Sequence, residues 1–134
     1  MRLVEKSDEE WKRELPPDVY HVTREKGTEV PFMGAYYALK ENGMYRCSNC
    51  GAELFSSDTK YDSGTGWPSF TAPMDNEAVE TAPDASGGME RTEIICKRCG
   101  AHLGHVFDDG PKEKTGKRFC VNSASLQFEK KEEK

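Results

Sequence analysis

This sequence predicts a mainly β domain with short helices at its N-terminal end, and three observations carry that prediction. Short runs rich in β-branched and aromatic residues, such as MYRC, AELFS, TEIIC and HLGHVF, are separated by turn residues. Two CxxCGA segments, starting at Cys47 and Cys96, each read as a strand, a tight turn and an exit through a small residue. Helical punctuation is confined to the stretch before Gly27. A chain of 134 residues has the length of one domain, so 1–134 is read as a single unit.

Taken in order, Ser7-Asp8-Glu9-Glu10 matches a capping box and predicts a helix to about Leu15, within a helical extension over 1–15. Pro16-Pro17 stops it, and Pro17 can open a second short helix ending near Gly27. Asn42-Gly43 is a hairpin signal between AYYALK and MYRC. The strand texts then follow, with TAPMDNEAVETAPDASGGM read as a long loop carrying one strand. RFCVNSASLQFE reads as a final strand whose apolar phase slips, so a bulge is expected near Ser123-Ala124-Ser125. Residues 129–134, EKKEEK, read as a charged, disordered tail.

Composition excludes several classes. The net charge is -5 and the basic residues are scattered among acids, so nucleic acid is not an expected partner. No apolar run approaches the ~20 residues that span a bilayer, and MRLVEKSDEEWKREL has no secretory apolar region. Five cysteines are an odd number, and two CxxC pairs without a signal fit a reducing compartment, so a cytoplasmic protein is expected. No apolar stripe suggests a dimer, and a monomer is expected.

Cys47, Cys50, Cys96 and Cys99 suit one tetrahedral Zn2+, with Zn–S bonds of about 2.3 Å. The 45 residues between the pairs make the metal a staple between distant hairpins rather than the centre of a finger. With all four positions filled by protein, its role is structural. Two redox dithiols, or four buried thiols, are the competing readings.

That leaves Cys120. Strand alternation puts Arg118, Cys120 and Asn122 on one face and Phe119 with Val121 on the other, facing the core. The cation beside the sulfur predicts a lowered thiol pKa and a nucleophile, although a free cysteine is often buried and inert. In HLGHVF, His102 and His105 can activate a thiolate or hydrogen-bond a leaving oxygen, or they are metal ligands or ordinary core and surface histidines. Trp67, in GTGWPSF, is either core or an apolar wall at a loop tip.

Together GTGWPSF, HLGHVFDDGP and RFCVNSASL, supported by TREKGTEVPF, YRCSNCGAELF and ERTEIICKRCGAHLGHVF, closely resemble the methionine-R-sulfoxide reductases, the type B methionine sulfoxide reductases. The resemblance implies two antiparallel sheets, with the zinc site away from the catalytic centre, and an enzyme acting on the (R)-sulfoxide of methionine in proteins or peptides. It implies Cys120 as a nucleophile that becomes a sulfenic acid. His102, His105 and Asn122 would handle the sulfoxide oxygen, and Arg118 and Asp109 would tune the site. Trp67 and Phe107 would bind substrate. Many members carry a resolving cysteine between the two glycines of the GTGWPSF motif, but here the residue is Thr65. Regeneration is therefore expected from an external thiol, thioredoxin or a small molecule, with no intramolecular disulfide. The competing readings are a non-enzymatic zinc module that binds a peptide or protein, and a zinc hydrolase or deaminase, which four-cysteine coordination disfavours.

Overall fold

The computed structural model describes residues 4–30, 34–75, 77–85 and 90–130. Two helices precede nine strands. α1 (Asp8–Glu14) begins at Ser7, whose hydroxyl accepts the Glu10 N–H while the Glu10 carboxylate accepts the Ser7 N–H, both at 3.2 Å. This closes the expected box. α2 (Pro17–Arg24) opens on the proline, where a missing N–H costs nothing.

Strands β1 (Gly43–Cys47), β2 (Glu53–Ser56) and β9 (Leu126–Lys130) form a three-stranded antiparallel sheet in the order β2-β1-β9. The others are β3 (Lys60–Tyr61), β4 (Ser69–Phe70), β5 (Val79–Asp84), β6 (Arg91–Cys96), β7 (His102–Phe107) and β8 (Arg118–Val121). They form a six-stranded antiparallel sheet in the order β3-β4-β8-β7-β6-β5. The fold is thus mainly β, with two antiparallel sheets and short N-terminal helices, as expected. No helix among the described residues is long and apolar enough to cross a membrane.

One core joins the sheets. Tyr45 and Phe55 from the smaller sheet meet Phe70, Ile94, Leu103 and Val121 from the larger, all fully buried. The Phe55 and Phe70 rings stack at 4.5 Å, and Tyr45 meets Phe70 edge-on at 5.2 Å.

Three expectations change. No hairpin forms at Asn42-Gly43: AYYALK is turns and irregular chain, and β1 pairs with β2 and β9 instead. A residue distant in sequence intervenes, because Lys60 Nζ donates to the Tyr37 and Leu39 carbonyls at 3.1 and 2.9 Å, in place of a partner strand. Tyr36 meanwhile packs edge-on against Tyr45. RFCVNSASLQFE is two strands rather than one, divided by a 3-10 turn at Ser123–Ser125 that hands the chain from one sheet to the other. Glu129 and Lys130 are not tail but the end of β9, where Glu129 accepts from Arg46 at 2.8 Å; residues 131–134 lie outside the described residues. The expected N-terminal helix also packs into the core, since Trp11 is buried with Arg24 stacked 4.0 Å from its ring centroid.

Candidate active site and metal centre

The two CxxC turns fold alike. Gly51 N–H donates to the Cys47 carbonyl at 2.9 Å and Gly100 N–H to Cys96 at 2.8 Å, and both glycines hold positive φ, 79° and 83°. A side chain would be strained there, which is why each knuckle ends in Gly. The first knuckle follows β1 and the second follows β6, so the cluster ties the two sheets together. The four sulfurs lie within 4.8 Å of one another, with Cys47 to Cys99 at 3.6 Å and Cys50 to Cys96 at 3.7 Å. A tetrahedral ion with Zn–S bonds of about 2.3 Å needs sulfurs roughly 3.8 Å apart. The cysteines are therefore positioned to hold a metal ion and are compatible with structural zinc. Hydrogen bonds among the sulfurs push the Cys47 thiol above its ordinary value and hold Cys50 below it.

α2 straps this centre. Arg24 donates from Nε to Asn49 Oδ1 at 2.7 Å and from Nη1 to the Cys99 carbonyl at 3.1 Å, one contact to each knuckle. Asn49 in turn donates to Thr23 Oγ1 at 3.1 Å.

Cys120 stands apart on β8. Its register partners are His105 on β7 and Ser69 on β4. Alternation works as expected, for Phe119 and Val121 are buried in the core while Arg118, Cys120 and Asn122 face a cavity of about 180 Å³. Trp67, Phe107 and His105 supply other parts of its wall. Gly104, opposite Val121, lets β7 approach, because a Cβ there would stand 3.0 Å from the Cys120 carbonyl carbon and from Val121 Cα.

Each side chain of the site is held. Arg118 grips Asp109 with two bonds, 2.9 Å from Nε and 3.2 Å from Nη2, and lies over the Phe107 ring at 4.4 Å. That pairing keeps the Asp109 carboxyl below its ordinary value. Asn122 donates from Nδ2 to the Leu103 carbonyl at 3.2 Å and accepts the Glu29 N–H at 3.2 Å. Trp67 Nε1 donates to the Glu29 carbonyl at 3.0 Å. His105 Nε2 lies 2.7 Å from Asp84 Oδ2. His102 is buried beside the cavity residue His105, with ring centroids 5.4 Å apart, and its Nδ1 lies 2.7 Å from Glu93 Oε2. Burial pushes the His102 pKa down, against the pull of Glu93, so the ring is neutral at neutral pH.

The Cys120 thiol departs from expectation. Its pKa is raised, not lowered: burial comes first, the Arg118 charge works against it, Glu29 adds to it, and hydrogen bonds with Thr65 and Arg118 ease it. Arg118 acts in the expected direction, but Asp109 shares its charge and the half-buried sulfur loses solvent.

Cys120, His105, Asn122, Arg118, Trp67 and Phe107 thus meet at one cavity, with Asp109 joined through Arg118 and His102 packed beside His105. The sequence reading missed Glu29, Glu93, Asp84 and Arg91. Arg91 lines the cavity and reaches to 3.9 Å from Asp84. Glu93 is nearly fully buried between His102 and Lys26, whose Nζ lies 3.2 Å from Glu93 Oε1. A carboxylate inside TEIIC was its visible signal. Glu29 has none, because its hydrogen bonds to Trp67, Asn122 and Ala124 are long-range.

The β frame thus carries four sulfurs clustered at its knuckles and one separate thiol in a cavity. The SelR domain profile matches residues 15–130, and the chain belongs to this family of methionine sulfoxide reductases. It is similar to the peptide methionine sulfoxide reductase MsrB of Leptospira interrogans, 59% identical over 127 residues, which cover 95% of this chain and 96% of that protein. The protein of the same name from Methanosarcina barkeri is 58% identical over 132 residues, 98% of this chain and 92% of its own. That of Hahella chejuensis is 60% identical over 128 residues, 96% and 91% of the two chains.

Proposed function

We propose that this protein reduces the (R)-epimer of methionine sulfoxide in proteins and peptides, with Cys120 as nucleophile. The observation that supports this reading most is the placement of Cys120 directly across the ladder from His105, in a cavity walled by Trp67 and Phe107. The cavity suits a thioether-sized group, and its wall separates the epimers, because exchanging methyl and oxygen would press a polar atom against the indole.

The Cys120 thiolate attacks the sulfoxide sulfur, while the oxygen takes a proton, since an S–O bond is a poor leaving arrangement otherwise. An S–S bond forms as the S–O bond breaks, and the sulfoxide oxygen takes a second proton and leaves as water. Water oxygen then takes the place of methionine on the Cys120 sulfur, methionine leaves as the two-electron-reduced thioether, and Cys120 is left as a sulfenic acid. His105 is the proton source, with its Nε2 fixed by Asp84, which leaves Nδ1 as its other nitrogen. His102, held by Glu93, sets the position of His105, and Asn122 helps hold the oxygen. Arg118, oriented by Asp109, favours the thiolate.

Thr65 stands where a resolving cysteine would be, so an external thiol, thioredoxin or a small molecule, attacks the sulfenic acid. Cys47, Cys50, Cys96 and Cys99 would hold one zinc ion, whose closed shell supplies folding free energy and no open position for substrate. The protein is proposed to act as a cytoplasmic monomer.

The test is a single turnover without added reductant, offering peptide (R)- and (S)-methionine sulfoxide separately to wild type and Cys120→Ser. About one methionine per enzyme from the (R) epimer alone, lost in the variant, is expected. No methionine from either epimer, with folded and metal-loaded protein, would sink the proposal and favour a binding module.

A further inference from the structure

Behind Cys120 lies a file of hydroxyls. Ser69, fully buried on β4, is the register partner of Cys120. Its Oγ lies 2.7 Å from Ser63 Oγ, which lies 2.8 Å from Thr65 Oγ1 and accepts the Thr65 N–H at 3.4 Å. Thr65 lines the cavity with Cys120, and its side chain acts on the sulfur in the direction that favours the thiolate. At the other end Ser69 Oγ also lies 3.2 Å from the Trp67 carbonyl.

Each hydroxyl has one proton to give, so the file can be ordered in two ways. In the first, Thr65 donates to Ser63, Ser63 to Ser69 and Ser69 to the Trp67 carbonyl, which leaves Thr65 Oγ1 an acceptor for a Cys120 S–H. In the second, the order reverses and Thr65 donates to the sulfur. No covalent bond is broken in passing between them, since three O–H groups rotate. Ser69 gives up its carbonyl acceptor and gains Ser63.

We propose that Thr65, backed by Ser63 and Ser69, is a reversible hydroxyl donor to the Cys120 sulfur, accepting from the thiol and donating to the thiolate. Thr65 touches the reacting atom, whereas Ser63 and Ser69 are positioning residues. The proposal rests on Cys120 as the nucleophile and says how an enclosed sulfur is ionised there. The charged and titratable groups facing that sulfur do not suffice. Arg118 on β8 shares its charge with Asp109, and Glu29, from the segment after α2, opposes ionisation. Tyr61 on β3 is near enough to feel the sulfur's charge, His105 on β7 is bound to Asp84, and Arg91 in the cavity wall faces Asp84. A neutral donor that reorders with the sulfur's protonation state stabilises the thiolate without adding a fixed charge to the cavity.

The experiment follows Cys120 alkylation by iodoacetamide against pH, in metal-loaded protein, with the modified residue identified by peptide mapping. Thr65→Val keeps the β-branched shape and removes the hydroxyl. Its alkylation midpoint should rise by about one pH unit, a tenfold loss of thiolate at neutral pH. Thr65→Ser should restore the wild-type midpoint, and Ser63→Ala should give a smaller rise in the same direction. Superimposable profiles for wild type and Thr65→Val, or failure of Thr65→Ser to restore the midpoint, would overturn the proposal. The readout requires no turnover. Absent sulfoxide reduction with the expected midpoints would therefore count against the proposed function alone.

Discussion

Gly104→Ala is the substitution whose consequence the structure defines most sharply. Its Cβ would overlap the Cys120 carbonyl oxygen and come within 3.0 Å of both the Cys120 carbonyl carbon and Val121 Cα. All three are backbone atoms, so no side-chain rotation relieves the overlap. Carbon contacts settle at about 3.5–4.0 Å, so those contacts alone require β7 and β8 to part by at least roughly 0.5–1 Å, and the oxygen overlap requires more. Overpacking of this kind costs about 1–3 kcal/mol of stability. The activity effect is larger in proportion, because the displaced pair is the one that carries Cys120 and His105. A misplacement of about 1 Å can cost a hundredfold in rate, or about 2.7 kcal/mol of barrier. The assay is kcat/KM on peptide (R)-methionine sulfoxide with dithiothreitol, beside a thermal melt that establishes folded protein at the assay temperature. A variant within threefold of wild type, with an unchanged melt, would show that β7 and β8 are not held as tightly as the Gly104 contact requires.

Three other outcomes are expected. Arg24→Met removes the strap between the knuckles and should cost about 2–3 kcal/mol, since a charged hydrogen bond contributes about 1.5–3, which lowers Tm by roughly 10 °C; an unchanged melt of metal-loaded protein would refute the strap. Chelation of the metal should unfold the domain, because site affinities of about 10 kcal/mol or more rival its whole stability. A circular dichroism melt indifferent to chelator would exclude that coupling. His102 should titrate below its ordinary 6.5, as burial directs. The unfolded chain then takes that proton more readily, so this group's contribution is complete above pH 6.5 and declines as pH falls from there towards the folded-state value. An NMR titration midpoint above 6.5 would reverse the sign.

What could be read from the chain in advance is what local chemistry sets. The CxxC knuckles need only six consecutive residues and a positive-φ glycine, so Cys47, Cys50, Cys96 and Cys99 are visible in the text. The capping box at Ser7 and the alternation around Cys120 are local in the same way. The errors lie where distant groups intervene. AYYALK has strand-like residues, but Lys60 takes its carbonyls. EKK reads as a disordered tail, yet Arg46 and β1 supply Glu129 with a charge and a ladder. Glu29 is invisible for the same reason, because its bonds to Asn122 and Ala124 span more than ninety residues. The direction of the Cys120 shift fails because burial, which no local window reports, outweighs the neighbouring cation.

The separation of the five cysteines has a chemical consequence. A sulfenic acid condenses with any thiol it can reach. Four of the five sulfurs are gathered in one cluster at the knuckles, and a metal held there would keep them as bound thiolates rather than free nucleophiles. Thr65 shares the cavity with Cys120, and its hydroxyl can hydrogen-bond an oxidised sulfur but cannot reduce it. Opening of the knuckles would therefore do more than loosen the fold, because it would release thiols able to trap oxidised Cys120. The ratio of Cys120-containing disulfide to free sulfenic acid after one turnover, measured with and without chelator, reads this directly. Metal-loaded protein should show sulfenic acid alone, and disulfides should appear only once the metal is withdrawn. An internal Cys120 disulfide in the loaded protein would mean that the cluster does not sequester its sulfurs.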